Sequence, residues 1–437
     1  MRVTEVSHGQ PETVLPTLGS APPRYVSPPP PSAWPRPTAP KQRYARPGPR
    51  MPDLGHRHPA HFARPQLRTG DGHNRDHRRT SWLELFFDLA FAGAVGQLAG
   101  AFQDQPSLGN LARFALLFTP IWLLWVQLSF YADRHESEDA THRISFLVAI
   151  GLCTALAASG PRAMAGHTTG FVIAFVLLRG LQLLLYARAR HHLPVTRPLY
   201  NCFLPCFGAG GALWLTSLTV GGTARYAFWA AALAVDAIGS TAMLVPRRRV
   251  PVNPAHLADR FQLFVLFVLG ESMARLISAA AIRPWSLPLA IVLAAALITL
   301  AALWWAWLTT ADHRALQRAP AVARFTALNL PLVAGIAAAS AGLHIAILAA
   351  DGAGPIAIGP RAALYGGVSV YLLASTVLPT RKLSLRVRVI RLVTALAAMG
   401  LVFMGALVAP VYLVPALTVV LVLGLGAERR AHNVTPT

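Results

Sequence analysis

From Trp82 to about residue 427 the chain is a succession of apolar segments, each about 20 residues long, separated by short basic loops. In lipid, a segment of that length has to satisfy its backbone hydrogen bonds within itself, so it spans as a helix. Twelve spans are predicted: 82–103, 108–131, 144–162, 169–188, 200–220, 226–246, 261–282, 286–309, 325–350, 362–379, 389–408 and 411–427. Pro120, Pro205, Pro288 and Pro331 fall inside spans, where they are expected to kink helices whose neighbours satisfy the freed carbonyls. Only 13% of residues are charged and mean hydropathy is +0.46, whereas soluble domains carry about a quarter charged residues. The expected fold is an all-α integral membrane protein.

The net charge of +21 would ordinarily point to nucleic acid, but its distribution points to topology. The loops predicted to share a side with the N-terminus hold most of the Lys and Arg, among them Arg188, Arg190, Arg197, Arg247, Arg248, Arg249, Arg381 and Lys382. The opposite loops hold Arg113, Arg162, Arg225, Arg283 and Arg361. Both termini are therefore expected in the cytoplasm, with the lipid bilayer rather than nucleic acid as partner. Residues 1–80, with 16 prolines, 13 Lys or Arg and six histidines, are expected to be a disordered arm. They lack the apolar core of a signal peptide, and either tether the chain to anionic lipids or form a solvated tail. Cys153, Cys202 and Cys206 all lie in apolar segments and read as small buried hydrophobes, with no metal or cofactor motif around them.

The chain repeats with a period of about 180 residues. Leu85-Phe86 through Gln97-Leu98 aligns without gaps on Leu263-Phe264 through Arg275-Leu276, and Ala132-Asp133-Arg134 matches Ala311-Asp312-His313. Two tandem six-helix halves are expected, 81–250 and 251–430, before a short tail at 431–437. An even number of helices makes the halves point the same way. The acids are not duplicated: Glu84 aligns with Gln262, Asp88 with Leu266 and Glu271 with Gly93.

Charged groups in hydrocarbon are costly and find partners in the bundle interior. Glu84 and Asp88 lie one turn apart on the first span. Asp236, Glu271 and Arg179 are read near the midplane, with Arg275 one turn beyond Glu271 and able to pair with it. The midplane groups are expected to interact, either as an ion-pair network that sets helix register or as an ion, proton or polar-solute pathway. The acidic loop from Asp133 to Arg143 reads by default as solvated, with cation binding or helix capping at the inner surface as the alternatives. Asp259 reads as a cap of the seventh span or a gate to Glu271. Asn201 and Asn329 are expected against loop backbone, His344 as an interior histidine, and Trp304, Trp305 and Trp307 as an interfacial belt.

Two stretches carry a resemblance. Trp82-Leu-Glu84-Leu-Phe-Phe-Asp88-Leu-Ala-Phe resembles the opening signature of the bacterial low temperature requirement protein A family. His256-Leu-Ala-Asp259-Arg260-Phe-Gln-Leu-Phe, followed by Leu269-Gly270-Glu271-Ser272, resembles its second motif. The resemblance implies a multi-pass bacterial plasma-membrane protein, with Glu84, Asp88, His256, Asp259, Arg260, Gly270 and Glu271 at motif positions. The family name records a growth phenotype in the cold. A looser architectural similarity, a doubled six-helix unit with an acidic first helix, links the chain to endolysosomal potassium and proton channels. The leading functional expectation is a channel or transporter for an ion or small polar solute, with Asp88, Asp236 and Glu271 on the pathway and Arg179 and Arg275 as countercharges. The alternatives are a non-transporting membrane factor for cold or envelope adaptation, and an intramembrane enzyme acting on lipid or a secondary metabolite.

Overall fold

The computed structural model describes residues 66–67, 81–136, 140–244, 250, 252–310, 319–352, 354–378 and 383–433. The described residues are almost entirely helical. In chain order the helices are α1 (Trp82–Asp104), α2 (Leu108–Arg134), α3 (Ala140–Met164), α4 (Thr169–His192), α5 (Arg197–Thr216) and α6 (Ala224–Leu244). They continue with α7 (Pro254–Ala281), α8 (Leu287–Thr310) and α9 (Ala319–Leu348). The next helix, α10, opens as Ile358–Arg361, passes through a π turn at Ala362–Gly366 and runs on as Gly367–Val377. Then come α11 (Leu385–Met404) and α12 (Pro410–Asn433). Of the predicted arm, only Gln66 and Leu67 are described. They form a two-residue antiparallel bridge with Glu136 and His135, and the expected disorder of the remainder lies outside the described residues.

Nine helices among the described residues are long and apolar enough to cross a membrane: α1 to α4, α7 to α9, α11 and α12. Polar caps set where several begin. Ser81 and Glu84 form a reciprocal capping box at α1, Ser107 accepts from the backbone N–H of Asn110 at α2, and Asn253 accepts from Ala255 and His256 at α7. α1 and α2 start where their apolar windows do. α7 begins at Pro254 rather than 261, so Arg260 is a helical residue and not a loop boundary. Pro288 lies in the first turn of α8, where its missing N–H breaks no helical bond.

The two runs of helices share a neighbour pattern. In the first, α1 packs on α3, α3 on α4, α4 on α5, α5 on α6, and α2 on α6. In the second, α7 packs on α9, α9 on α10, α10 on α11, α11 on α12, and α8 on α12. The runs meet where α1 packs against α7 and α9. Small residues allow the closest approaches: a Cβ on Gly335 of α9 would lie 2.5 Å from the carbonyl oxygen of Gly367 on α10. Large apolar side chains such as Leu184, Ile238, Ile277 and Leu423 face outward, while Trp122, Trp125, Trp214 and Trp229 and the charged Asp88, Arg179, Asp236 and Arg260 are buried inside.

Candidate functional site

Glu84 and Asp88 of α1 and His256, Arg260, Glu271 and Arg275 of α7 lie along one shared seam. Glu84 is in the first turn of α1, and its Oε2 lies 3.6 Å from Nε2 of His256 in the first turn of α7. The other imidazole nitrogen, Nδ1, is 2.9 Å from Asp133 Oδ1 at the end of α2. Asp133 Oδ2 in turn accepts the backbone N–H of Asn253 at 2.8 Å. Glu84, Asp133 and His256 are all buried, so an imidazole sits between two carboxylates with little water around it. The two helix N-termini that converge here favour negative charge.

One turn deeper, Asp88 is fully buried and held on three sides. Trp125 Nε1 donates to Oδ1 at 2.7 Å, Arg260 Nε donates to Oδ2 at 3.3 Å, and Arg260 Nη2 donates to Oδ1. The guanidinium also lies over the Phe87 ring. Above it the seam is closed by aromatic rings. Trp125 and Phe264 stand 4.2 Å apart between centroids, with Trp122 and Phe261 packed around them.

Beyond the rings, Glu271 Oε1 accepts from Arg275 Nη2 at 3.0 Å across one turn of α7. Arg275 also donates to the carbonyl of Gly96 on α1, and its own carbonyl meets His344 Nδ1 at 3.0 Å. Gly96 and Gly100 make room for this pair, since a Cβ on Gly96 would lie 2.4 Å from Glu271 Oε1. Contacts therefore run in the same order along both helices: Glu84 with His256, Asp88 with Arg260, Gly96 with Glu271. α1 and α7 are parallel.

Asp236 and Arg179 belong to a separate cluster. Arg179 of α4 donates to Asp236 of α6 at 2.6 Å, and through Nη1 to Gln127 at 2.5 Å and Gln182 at 2.7 Å. Gln182 donates to Gln127, and Gln127 to Ser240. Phe175 and Phe207 cover the guanidinium, and Gly210 and Gly211 leave space for the pair. The expected joining of Glu271 with Asp236 and Arg179 is thus corrected, because α2 stands between the two groups. Trp125 on one side of α2 reaches the seam, and Gln127 on another reaches Arg179.

Other expectations change as well. Asp133 is buried and paired rather than solvated. Asp259 is exposed and the N-cap of α7 is Asn253, because the helix starts a full turn before Asp259. Gly270 faces open space, with no atom near where a Cβ would sit. Trp307 is buried, Cys202 is exposed, and Asn201 and Asn329 bond Arg190 and the Phe325 carbonyl rather than loop backbone. Sequence reasoning placed Arg260 at a loop edge and made nothing of Arg391, although the span predicted at 389–408 contains it. Both are buried, and Arg391 makes a two-pronged pair with Glu428 at 3.0 and 2.9 Å. An arginine within two turns of a capped helix start was the available signal. No group of three or more His, Cys, Asp or Glu among the described residues has metal-holding geometry.

The family model described as Bacterial low temperature requirement A protein (LtrA) matches residues 79–426. The chain is also similar to an uncharacterized protein of Rhizobium meliloti, at 26% identity over 286 residues, 60% of this chain and 68% of that protein. No solved structure matches.

Proposed function

Because the chain belongs to the bacterial low temperature requirement A family, through a match over residues 79–426, we propose that it is a plasma-membrane channel or transporter that moves protons, alone or coupled to an ion or small polar solute, along the α1–α7 seam. In this reading twelve helices span the bilayer in two six-helix halves, 81–250 and 251–430, with both termini cytoplasmic. The shared neighbour pattern, the parallel run of α1 and α7 and the asymmetry of loop charge support it.

The observation that carries the proposal is the Glu84–His256–Asp133 chain. An imidazole has two nitrogens, so it accepts a proton on one side while releasing one on the other. Buried acid–histidine chains of this kind serve as proton relays. The relay opens at the cytoplasmic end, the Trp122–Trp125–Phe261–Phe264 cluster is the barrier, and Glu271 with Arg275 receives charge beyond it. Motion of α7 against α1 would open the barrier, and the glycines at 96 and 100 keep that contact free of bulky side chains.

The test is proton flux. Purified protein in liposomes is given a pH gradient with charge compensation, and internal pH is followed with a trapped dye. Wild type is expected to dissipate the gradient, and His256→Gln and Glu271→Gln to slow it at least about tenfold while remaining folded; general acid–base groups typically contribute that much or more. A second reading is a non-transporting membrane factor whose polar seam locks register. The closed pairs Asp88–Arg260 and Arg391–Glu428 favour it. Flux equal to empty liposomes, or equal in wild type and His256→Gln, would transfer the weight to that reading.

A further inference from the structure

At the end of the bundle opposite the Glu84–Asp133 cluster, where α3 ends and α4 begins, lies a cavity of about 640 Å³. Arg162, His167, Thr168, Thr169, Gly170 and Arg225 line it, and no carboxylate does among the described residues. Neither guanidinium has an acidic partner among the described residues. Arg225 Nη1 donates to the Thr168 hydroxyl at 2.8 Å, and its buried Nε has no hydrogen-bond partner. That bond has a consequence for α4. Thr168 occupies the N-cap position but makes no side-chain cap, so the hydroxyl that would serve the first turn of the helix faces Arg225 instead. The chain before it turns tightly through Gly166 at φ 99°, with His167 N–H bonded to the Arg162 carbonyl at 2.8 Å, which brings Arg162 and His167 to the same rim.

Two unpaired guanidiniums, an imidazole and an uncapped helix start converge on one space. Guanidinium groups favour the forked geometry of phosphate oxygens, and a helix start offers N–H groups with a positive dipole end. The cavity exceeds a phosphate group, leaving room for what is esterified to it. It lies at the end of α3 and the starts of α4 and α6, and in a bilayer spanned by these helices that height would be the headgroup layer. We infer that this cavity binds a phosphate-bearing anion, either the headgroup of an anionic phospholipid or a free phosphate. The site shares no lining residue with the α1–α7 seam.

The test uses the full chain in detergent. Retention of phosphatidylglycerol against phosphatidylcholine is measured by native mass spectrometry, and inorganic phosphate is titrated calorimetrically. Arg162→Gln is the decisive variant, because the residue is exposed and holds no carboxylate, so the fold does not depend on it. Preferential phosphatidylglycerol retention that weakens about tenfold in Arg162→Gln, the scale of one charge-assisted contact, supports a headgroup site. Phosphate binding lost in Arg162→Gln without lipid preference supports a free-anion site. All variants keep the basic arm, so its contribution cancels. Equal binding of both probes in wild type and Arg162→Gln overturns the proposal. So does a loss confined to Arg225→Gln that comes with a lower melting temperature, which would mean Arg225 only braces α4.

Discussion

Two buried polar regions flank α2, and they are built on different principles. Around Arg179, one guanidinium meets one carboxylate, and two glutamines take up the remaining hydrogen bonds. At the α1–α7 seam, by contrast, Asp88 meets the Arg260 guanidinium, and Glu84 and Asp133 lie on either side of the His256 imidazole. The first set matches one cation with one anion. The second includes a group whose ordinary titration range is close to neutral, held between two acids. A matched buried pair serves folding. An imidazole between two carboxylates can exchange protons without losing its neighbours.

The largest effect expected from this contrast is on stability at the balanced pair. Arg179→Gln leaves Asp236 buried without its cation and should lower stability by about 3–5 kcal/mol. Adding Asp236→Asn should recover most of that loss, read as the melting temperature in detergent. His256→Gln should do the reverse: little change in melting temperature and loss of proton flux. If Arg179→Gln were silent, or if His256→Gln unfolded the protein, the contrast between the regions would fail.

Space is the next test. A Cβ on Gly210 would lie 2.6 Å from Asp236 Oδ1, so Gly210→Ala should push the carboxylate off Arg179 at a cost of about 1–3 kcal/mol. Gly270→Ala, facing open space, should not.

His135 sharpens the pH argument. It follows α2 directly, and burial holds its imidazole down to about 3, against the raising effect of the Tyr131 carbonyl. It therefore stays neutral in the folded protein, its ring nitrogens paired with that carbonyl and with the Tyr200 hydroxyl. The unfolded chain takes up a proton there as pH falls below about 6.5, so this contribution to stability is present above that value and declines as pH falls toward 3. Between pH 7 and 5 the decline is about 2 kcal/mol, and His135→Gln should flatten it in a thermal-melt series. The smallest effect is expected at Asp351. Its carboxyl sits below the usual range through hydrogen bonds from Ser286 and Arg283, but it is exposed. Asp351→Asn should leave both the melt and the flux unchanged.

Much of the site was legible one helix at a time. The i, i+4 spacings of Glu84 with Asp88 and of Glu271 with Arg275 put each pair on one face, and the uneven loop charge marked the basic ends. Asp133 was not legible, because an acid in a run of polar residues looks solvated until a second helix end is brought against it. Arg260 was read as a loop boundary because hydropathy windows stop at a charge, whereas a capped helix runs on through it if the charge finds a partner inside. The parting of Glu271 from Asp236 was likewise hidden, since depth along a helix says nothing about direction around the bundle.

The sequence by itself determined that the chain is a set of apolar helices, how those helices are spaced, and which charged residues they carry. These follow from the length of apolar segments and from the cost of unpaired backbone in hydrocarbon. Only the tertiary structure decided which charge meets which: Asp88 with Arg260, Asp236 with Arg179, and His256 between Glu84 and Asp133. Several arginines were available to each acid. The choice among them rests on which helices pack together and on the glycines that let them approach, and that packing is a property of the whole bundle rather than of any one segment.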